Sequence, residues 1–172
     1  VGLTDSKDFR VDLYLTPTDA PIKLENINYE FGKWDLLPGS IAALDSLAEI
    51  LALNPTITIE LMAHTDHVGS EQFNFELSQK RAQSVVDYLI QKGVNPKRLV
   101  AKGYGETWPK TVTRQLAEQY NFLKRGDELT EAFINKLATP EQKEIAQGIN
   151  RRTEFRVLST DFHETFAPEP EK

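Results

Sequence analysis

Residues 64–82 read HTDHVGSEQFNFELSQKRA: a strand exit, a glycine-containing loop and a helix entry, carrying Asp66, Asn74 and Arg81. Upstream, Thr56 to Ala63 alternates, with Ile57, Ile59, Leu61 and Ala63 on one side and Thr58, Glu60 and Met62 on the other. That is the pattern of a half-buried strand. Downstream, the spacing of Ala82, Val85, Val86 and Leu89 predicts a helix from about Asn74 to Lys92, with Gly93 placed to cap it. A loop between a strand's C-terminal end and a helix N-terminus gathers backbone N–H groups and partial positive charge, which suits a carboxylate. Arg81 can grip a carboxylate through two parallel hydrogen bonds, and Asp66 can hold an ammonium. These residues suit a small zwitterion. The same two charges could equally form an internal salt bridge that pins the loop to the helix.

Working outward, Pro38-Gly39-Ser40 opens an amphipathic helix carrying Ile41, Leu44, Leu47, Ala48 and Leu51, which Asn54-Pro55 ends. Ile22 to Phe31 suits a first strand, Leu99 to Tyr104 a third and Thr153 to Ser159 a fourth. Strand–helix alternation of this kind predicts an α/β (α+β) two-layer fold with helices packed on a mixed sheet. Residues 1–21, with a short alternating run from Arg10 to Leu15 broken by TPTDAP, look like a linker or the end of a preceding module. Residues 22–160 form the domain, and the acidic, proline-bearing tail 161–172 is expected to be disordered. Residues 111–149 stand between the third and fourth strands as an insertion. Leu116, Tyr120 and Leu123 make one helical stripe stopped by Gly126, and Leu129, Phe133 and Leu137 make another. Thr139-Pro140-Glu141-Gln142 is a capping box that starts a third helix toward Gly148.

A chain of 172 residues that is 40% apolar and 27% charged can bury one real core. No run approaches the roughly 18 apolar residues of a membrane span. A net charge of −6 argues against nucleic-acid binding, which wants a basic face. The absence of cysteine excludes thiolate zinc sites and a cysteine nucleophile. His64, Asp66 and His67 form an H-x-D-H cluster, but without an HExxH pattern a metal is not expected, nor any cofactor. The opening VGLTDSKDFR lacks an apolar export segment, so the sequence reads as a domain of a longer protein whose signal or lipid anchor lies upstream.

HTD, then G, N, LS and RA in residues 64–82, GYGETWP at 103–109 and NRR at 150–152 occur in series. In this order they resemble the C-terminal peptidoglycan-binding domain of the outer-membrane protein A family, shared with peptidoglycan-associated lipoproteins and flagellar stator B subunits. The helical insertion resembles versions found in Bacteroidetes-type envelope proteins, some of them parts of secretion machines. The resemblance implies a non-catalytic module in the periplasm that binds the diaminopimelate of a peptidoglycan stem peptide. Such a module anchors an outer-membrane or periplasmic complex to the cell wall. It further implies that Asp66 holds the ligand's amino group and Arg81 its carboxylate. Asn74 would orient the loop or touch the peptide, and Arg151 would meet a second carboxylate. Thr65, Gly69 and Leu77 complete the motif's ligand set, while Arg152 is read as structural. Family members often carry Asp after the first-strand Phe; here EFGKWD puts Gly32 there, and Asp35 is the candidate substitute.

Two other classes compete with this reading. An amidase or peptidase would need a cysteine, a paired His/Glu zinc motif or a G-x-S-x-G elbow, and the chain has none of them. A family member that has lost ligand binding and kept only protein interactions is the alternative, since fold does not fix function.

Overall fold

The computed structural model describes residues 21–25, 27–30 and 32–163. In chain order the elements are β1 (Ile22–Lys23), α1 (Ile41–Leu53), β2 (Thr58–His64), α2 (Glu71–Gln91), β3 (Leu99–Gly105), α3 (Arg114–Gln119), α4 (Glu131–Asn135), α5 (Pro140–Asn150) and β4 (Arg152–Ser159). The sheet order is β1-β4-β2-β3, with β2 and β3 parallel and both pairings of β4 antiparallel. This is the mixed sheet with helices that the alternation predicts.

The core lies between the sheet and the first two helices. Leu44, Leu47 and Leu51 of α1 and Val85, Val86 and Leu89 of α2 meet Ile57, Ile59, Leu61, Phe155 and Val157. Both helix stripes are those read from the sequence, because a 3.6-residue period leaves only one apolar face to bury. At the close of α1, the Arg98 side chain donates from Nη2 to Leu51 O and Asn54 O and from Nε to Ile57 O, at 2.6–2.8 Å. It thereby satisfies carbonyls that the helix end leaves without partners. Helix α2 presses its backbone onto β3: a Cβ at Gly103 would lie 2.2 Å from Gln79 N. The Gln79 side chain bonds Gly103 N and Ala101 O, and Ser78 Oγ accepts from Gly105 N. The two glycines of GYGE are therefore needed for helix–strand contact, and Gly105 in addition has φ +54°.

Three expectations change. The first strand is two residues long rather than ten, because the chain beyond Leu24 turns away. Tyr29 pairs with Leu36, and the segment wraps over α2 to reach Arg81. Helix α2 starts at Glu71 rather than near Asn74, since Ser70 accepts from Phe73 N as its cap. Strand β2 is buried on both faces, not one. Glu60, Met62 and His64 are covered as well, with Tyr104 Oη and Arg156 Nε bonded to the Glu60 carboxylate. The expected strand at 10–15 lies outside the described residues, as does most of the acidic tail. Phe162, at the start of that tail, donates its N–H to Thr56 O.

The insertion is helical and has a core of its own, built from Val112, Leu123, Leu129, Ile134 and Ala146. Leu116, Tyr120, Phe133 and Leu137 pack against it only partly buried, so Ile134 and not Phe133 is the centre of the α4 contact. Thr139 caps α5 by accepting from Gln142 N, as the capping box predicts.

Candidate functional site

The HTD loop is held from three sides where β2 ends. Thr65 N donates to Gly105 O, and Asn74 Nδ2 donates both to Asp66 O (3.2 Å) and to Glu106 Oε2 (2.6 Å). Asn74 is 1% exposed, so it orients the loop from beneath. Gly69 has φ +114°, a conformation that L side chains rarely adopt. Leu77 is buried on α2. Thr65 Oγ1 is buried with no hydrogen-bond partner in the described protein.

Asp66 is buried, and its two oxygens have different partners. Oδ1 accepts from Val68 N at 3.0 Å, and Oδ2 accepts from Arg151 Nη1 at 2.6 Å. Arg151 Nη2 in turn donates to Glu144 on α5 at 2.5 Å. The internal salt bridge considered from sequence between Asp66 and Arg81 is therefore not the one formed; Arg151, 85 residues away in sequence, takes that place.

Arg81 is also buried, at 7% exposure, yet no carboxylate of the described residues lies within ion-pair distance of it. Its Nε donates to Lys33 O at 2.9 Å, its Nη2 reaches Glu30 O at a long 3.5 Å, and its guanidinium lies 4.7 Å from the Tyr29 ring centre. Burial pushes its pKa below the ordinary arginine value, with Tyr29 and Asp66 opposing the shift and Arg151 adding to it. A guanidinium stays charged under such pressure, so the field around it favours an anion.

Arg81 faces a cavity of about 300 Å³, which Ile27, Tyr29, His64, Gly148, Arg151 and Arg152 also line. The first-strand segment, the end of β2, α2, the end of α5 and the start of β4 thus converge on one hollow. Sequence reasoning missed Tyr29, read only as a strand residue, and Gly148, whose helix ran toward the site unseen. Asp35 is elsewhere. It lines a separate depression with Trp34 and Lys80 on the outer side of α2, so it does not replace the carboxylate at the cavity. The insertion reaches the cavity through Gly148 and the Glu144–Arg151 pair.

Beside the cavity lies a buried ionic cluster. Glu154 is bonded to Lys110 Nζ at 2.6 Å, with Arg152 Nε at 3.1 Å and His64 Nε2 at 3.4 Å. Burial would raise the Glu154 pKa, but His64, Arg152 and Lys110 together hold it well below the ordinary carboxylate range. Burial pushes the His64 imidazole below its ordinary value against the pull of Glu154, so it is neutral at pH 7. The His64 ring stacks on Tyr104, which stacks on Trp108. Arg152 donates to Trp108 O and Asn150 O while also lining the cavity. Among the described residues no group of three His, Cys, Asp or Glu is arranged to hold a metal.

The sequence profile of the OmpA family matches residues 28–122, just over half of the chain. This chain belongs to the OmpA family. Outer membrane porin F of Pseudomonas fluorescens is 35% identical over 94 residues, 54% of this chain and 29% of that protein. Outer membrane protein A of Klebsiella aerogenes is 41% identical over 88 residues, 50% of this chain and 25% of that protein. The chain thus spans only about a quarter to a third of the length of these relatives. Two solved structures share the fold. A MotB-like protein from Desulfovibrio vulgaris superposes with a TM-score of 0.56 at 24% identity, over 83% of this chain and 74% of that one. The peptidoglycan-associated lipoprotein from Burkholderia pseudomallei gives 0.55 at 21% identity, over 77% and 88%. In this OmpA-family domain no described helix is long and apolar enough to cross a membrane.

Proposed function

We propose that this domain is a non-catalytic module that binds peptidoglycan through the zwitterionic end of a diaminopimelate side chain. In doing so it would tether an envelope protein complex, in the periplasm, to the cell wall. The observation that carries the reading is Arg81: a buried guanidinium at a cavity wall, with no carboxylate of its own. A ligand carboxylate would complete its coordination. The ligand's ammonium would then reach Asp66, taking Oδ2 from Arg151, which would keep its pairing with Glu144. Thr65 Oγ1 supplies a spare hydrogen-bonding group beside Asp66. Membership of the OmpA family and likeness of fold to a peptidoglycan-associated lipoprotein support the assignment. The test is co-sedimentation with diaminopimelate-containing sacculi: wild type should pellet, and folded Asp66→Ala and Arg81→Ala should stay in the supernatant. Unchanged sedimentation of either variant would remove its proposed role.

One observation favours a second reading. Asp66 is already satisfied by Arg151 and Val68 N, as it would be in a member that had lost its ligand and kept only protein contacts. Under that reading wild type itself fails to pellet with sacculi.

A further inference from the structure

A second, larger hollow of about 600 Å³ lies between the insertion and the sheet edge. Leu116, Tyr120 and Ile149 form part of its wall, with Lys23, Lys110 and Arg152 around them. Two residues, Gly148 and Arg152, line both this hollow and the Arg81 cavity. The two are therefore neighbours that meet at Gly148 of α5 and Arg152 of β4. Nothing in the fold demands glycine there. Gly148 is helical without a positive φ, and an added Cβ would meet only Arg151 Nη2, at an ordinary 3.5 Å. Glycine is a poor helix residue, so a position that the fold leaves open to alanine has a reason outside helix formation. Here that reason is space: a side chain at 148 would project at the junction of the two hollows.

The charges agree with one kind of occupant. Three cations, Lys23, Lys110 and Arg152, stand against two carboxylates, Glu25 paired with Lys23 and Glu154 shared by Lys110 and Arg152. The wall thus keeps one net positive charge in a chain whose net charge is −6. Resting on the reading above, we infer that the insertion hollow is a second subsite. It takes the acidic peptide that continues from the zwitterionic group held at Arg81, so that the two hollows form one cleft running past Gly148. Apolar wall residues bury the peptide's aliphatic parts, while the one excess positive charge of the wall attracts its carboxylates. The insertion thus makes the domain selective for an extended stem peptide over the free amino acid.

The experiment compares two probes by calorimetry on the whole chain: free meso-diaminopimelate, and the tripeptide L-alanyl-γ-D-glutamyl-meso-diaminopimelate. Wild type should bind the tripeptide at least tenfold more tightly. Lys23→Glu combined with Gln119→Glu places two new carboxylates in the insertion hollow, away from Arg81. This pair should remove that tenfold gain and leave the diaminopimelate affinity unchanged. Gly148→Leu should fold with an unchanged or raised Tm and weaken the tripeptide more than the free amino acid. Equal affinity of wild type for the two probes, or a tripeptide gain that survives both sets of changes, overturns the second subsite while leaving the Arg81 site standing. Failure of wild type to bind either probe overturns the parent reading and this one together.

Discussion

Two buried arginines, Arg98 and Arg81, end in opposite circumstances. Both are almost fully covered, 6% and 7% exposed, and both donate to backbone carbonyls rather than to a carboxylate. Arg98 makes three bonds of 2.6–2.8 Å to the end of α1 and the start of β2. Arg81 makes one good bond and one stretched one, and it faces an open cavity. The first guanidinium is used up by the fold. The second retains donor capacity and charge that the fold leaves unspent, and this separates a structural arginine from one poised for a ligand.

The sharpest way to break that contrast is to remove each side chain in turn. Arg98→Ala leaves three inward carbonyls without a donor and should cost about 3–4 kcal/mol of stability, read from urea unfolding. The fraction that remains folded should still sediment with sacculi. A loss under about 1 kcal/mol would show that water replaces the guanidinium, and the contrast would fail from the structural side. Arg81→Ala should show the reverse, a stability loss of about 1 kcal/mol from one good hydrogen bond. Its binding should weaken by about 2–3 kcal/mol, the scale for removing one partner of a desolvated charge contact. If Arg81→Ala unfolds the domain as Arg98→Ala does, then Arg81 is a clamp on the 30–33 segment and the poised-ligand argument goes.

A smaller effect sharpens the roles at Asp66. Arg151→Ala removes the internal competitor for Oδ2 and lets Asp66 meet an ammonium unopposed. The pair is part-exposed on the arginine side, so its loss should change stability by no more than about 1 kcal/mol. Diaminopimelate affinity should then hold or rise. A fall of tenfold would show that Arg151 contacts the ligand itself, as the resemblance to the NRR motif implies.

Legibility in the sequence followed the range of the interaction. The stripes of α1 and α2 and the capping box at Thr139 are local patterns, and each appears where the periodicity puts it, whereas the alternation of β2 located the strand but not the cover over its second face. Asp66, Asn74 and Arg81 were legible as candidates because one loop and one helix carry them. What the sequence hid depends on contacts far along the chain. Arg98 looks like any surface arginine after a proline turn until α1 packs beside it. Gly103, inside the expected third strand, shows no need for glycine until α2 lies against it. The partner of Asp66 comes from the far side of a 39-residue insertion, and Asp35, near in sequence to the missing carboxylate, points to another groove. Strand β1 was overread because alternation predicts a face to bury but not how soon an edge strand leaves its sheet.

A pH-dependent effect tests whether buried charge beside the cavity is structural in the manner of Arg98. His64 faces Glu154, with Arg152 and Lys110 around the same carboxylate, and all but Lys110 are nearly inaccessible. Burial holds its pKa below the ordinary 6.5, so between the folded and unfolded values the unfolded chain binds the extra proton. Stability from this group is therefore complete above about pH 6.5 and declines as pH falls, by at most about 1.4 kcal/mol per pH unit for one proton. Glu154, whose pKa is depressed, acts in the same direction but at lower pH: its contribution is complete above the ordinary glutamate range and is lost as pH drops through and below it. Urea midpoints from pH 7.5 to 5.5 should thus fall in wild type and stay nearly level in His64→Gln, before both fall together below about pH 4.5. A His64→Gln variant with the wild-type slope in the upper window would mean that the imidazole accepts a proton in the folded state as readily as in water. The cluster would then be a solvated, adaptable part of the binding cavity rather than a fixed support beneath it.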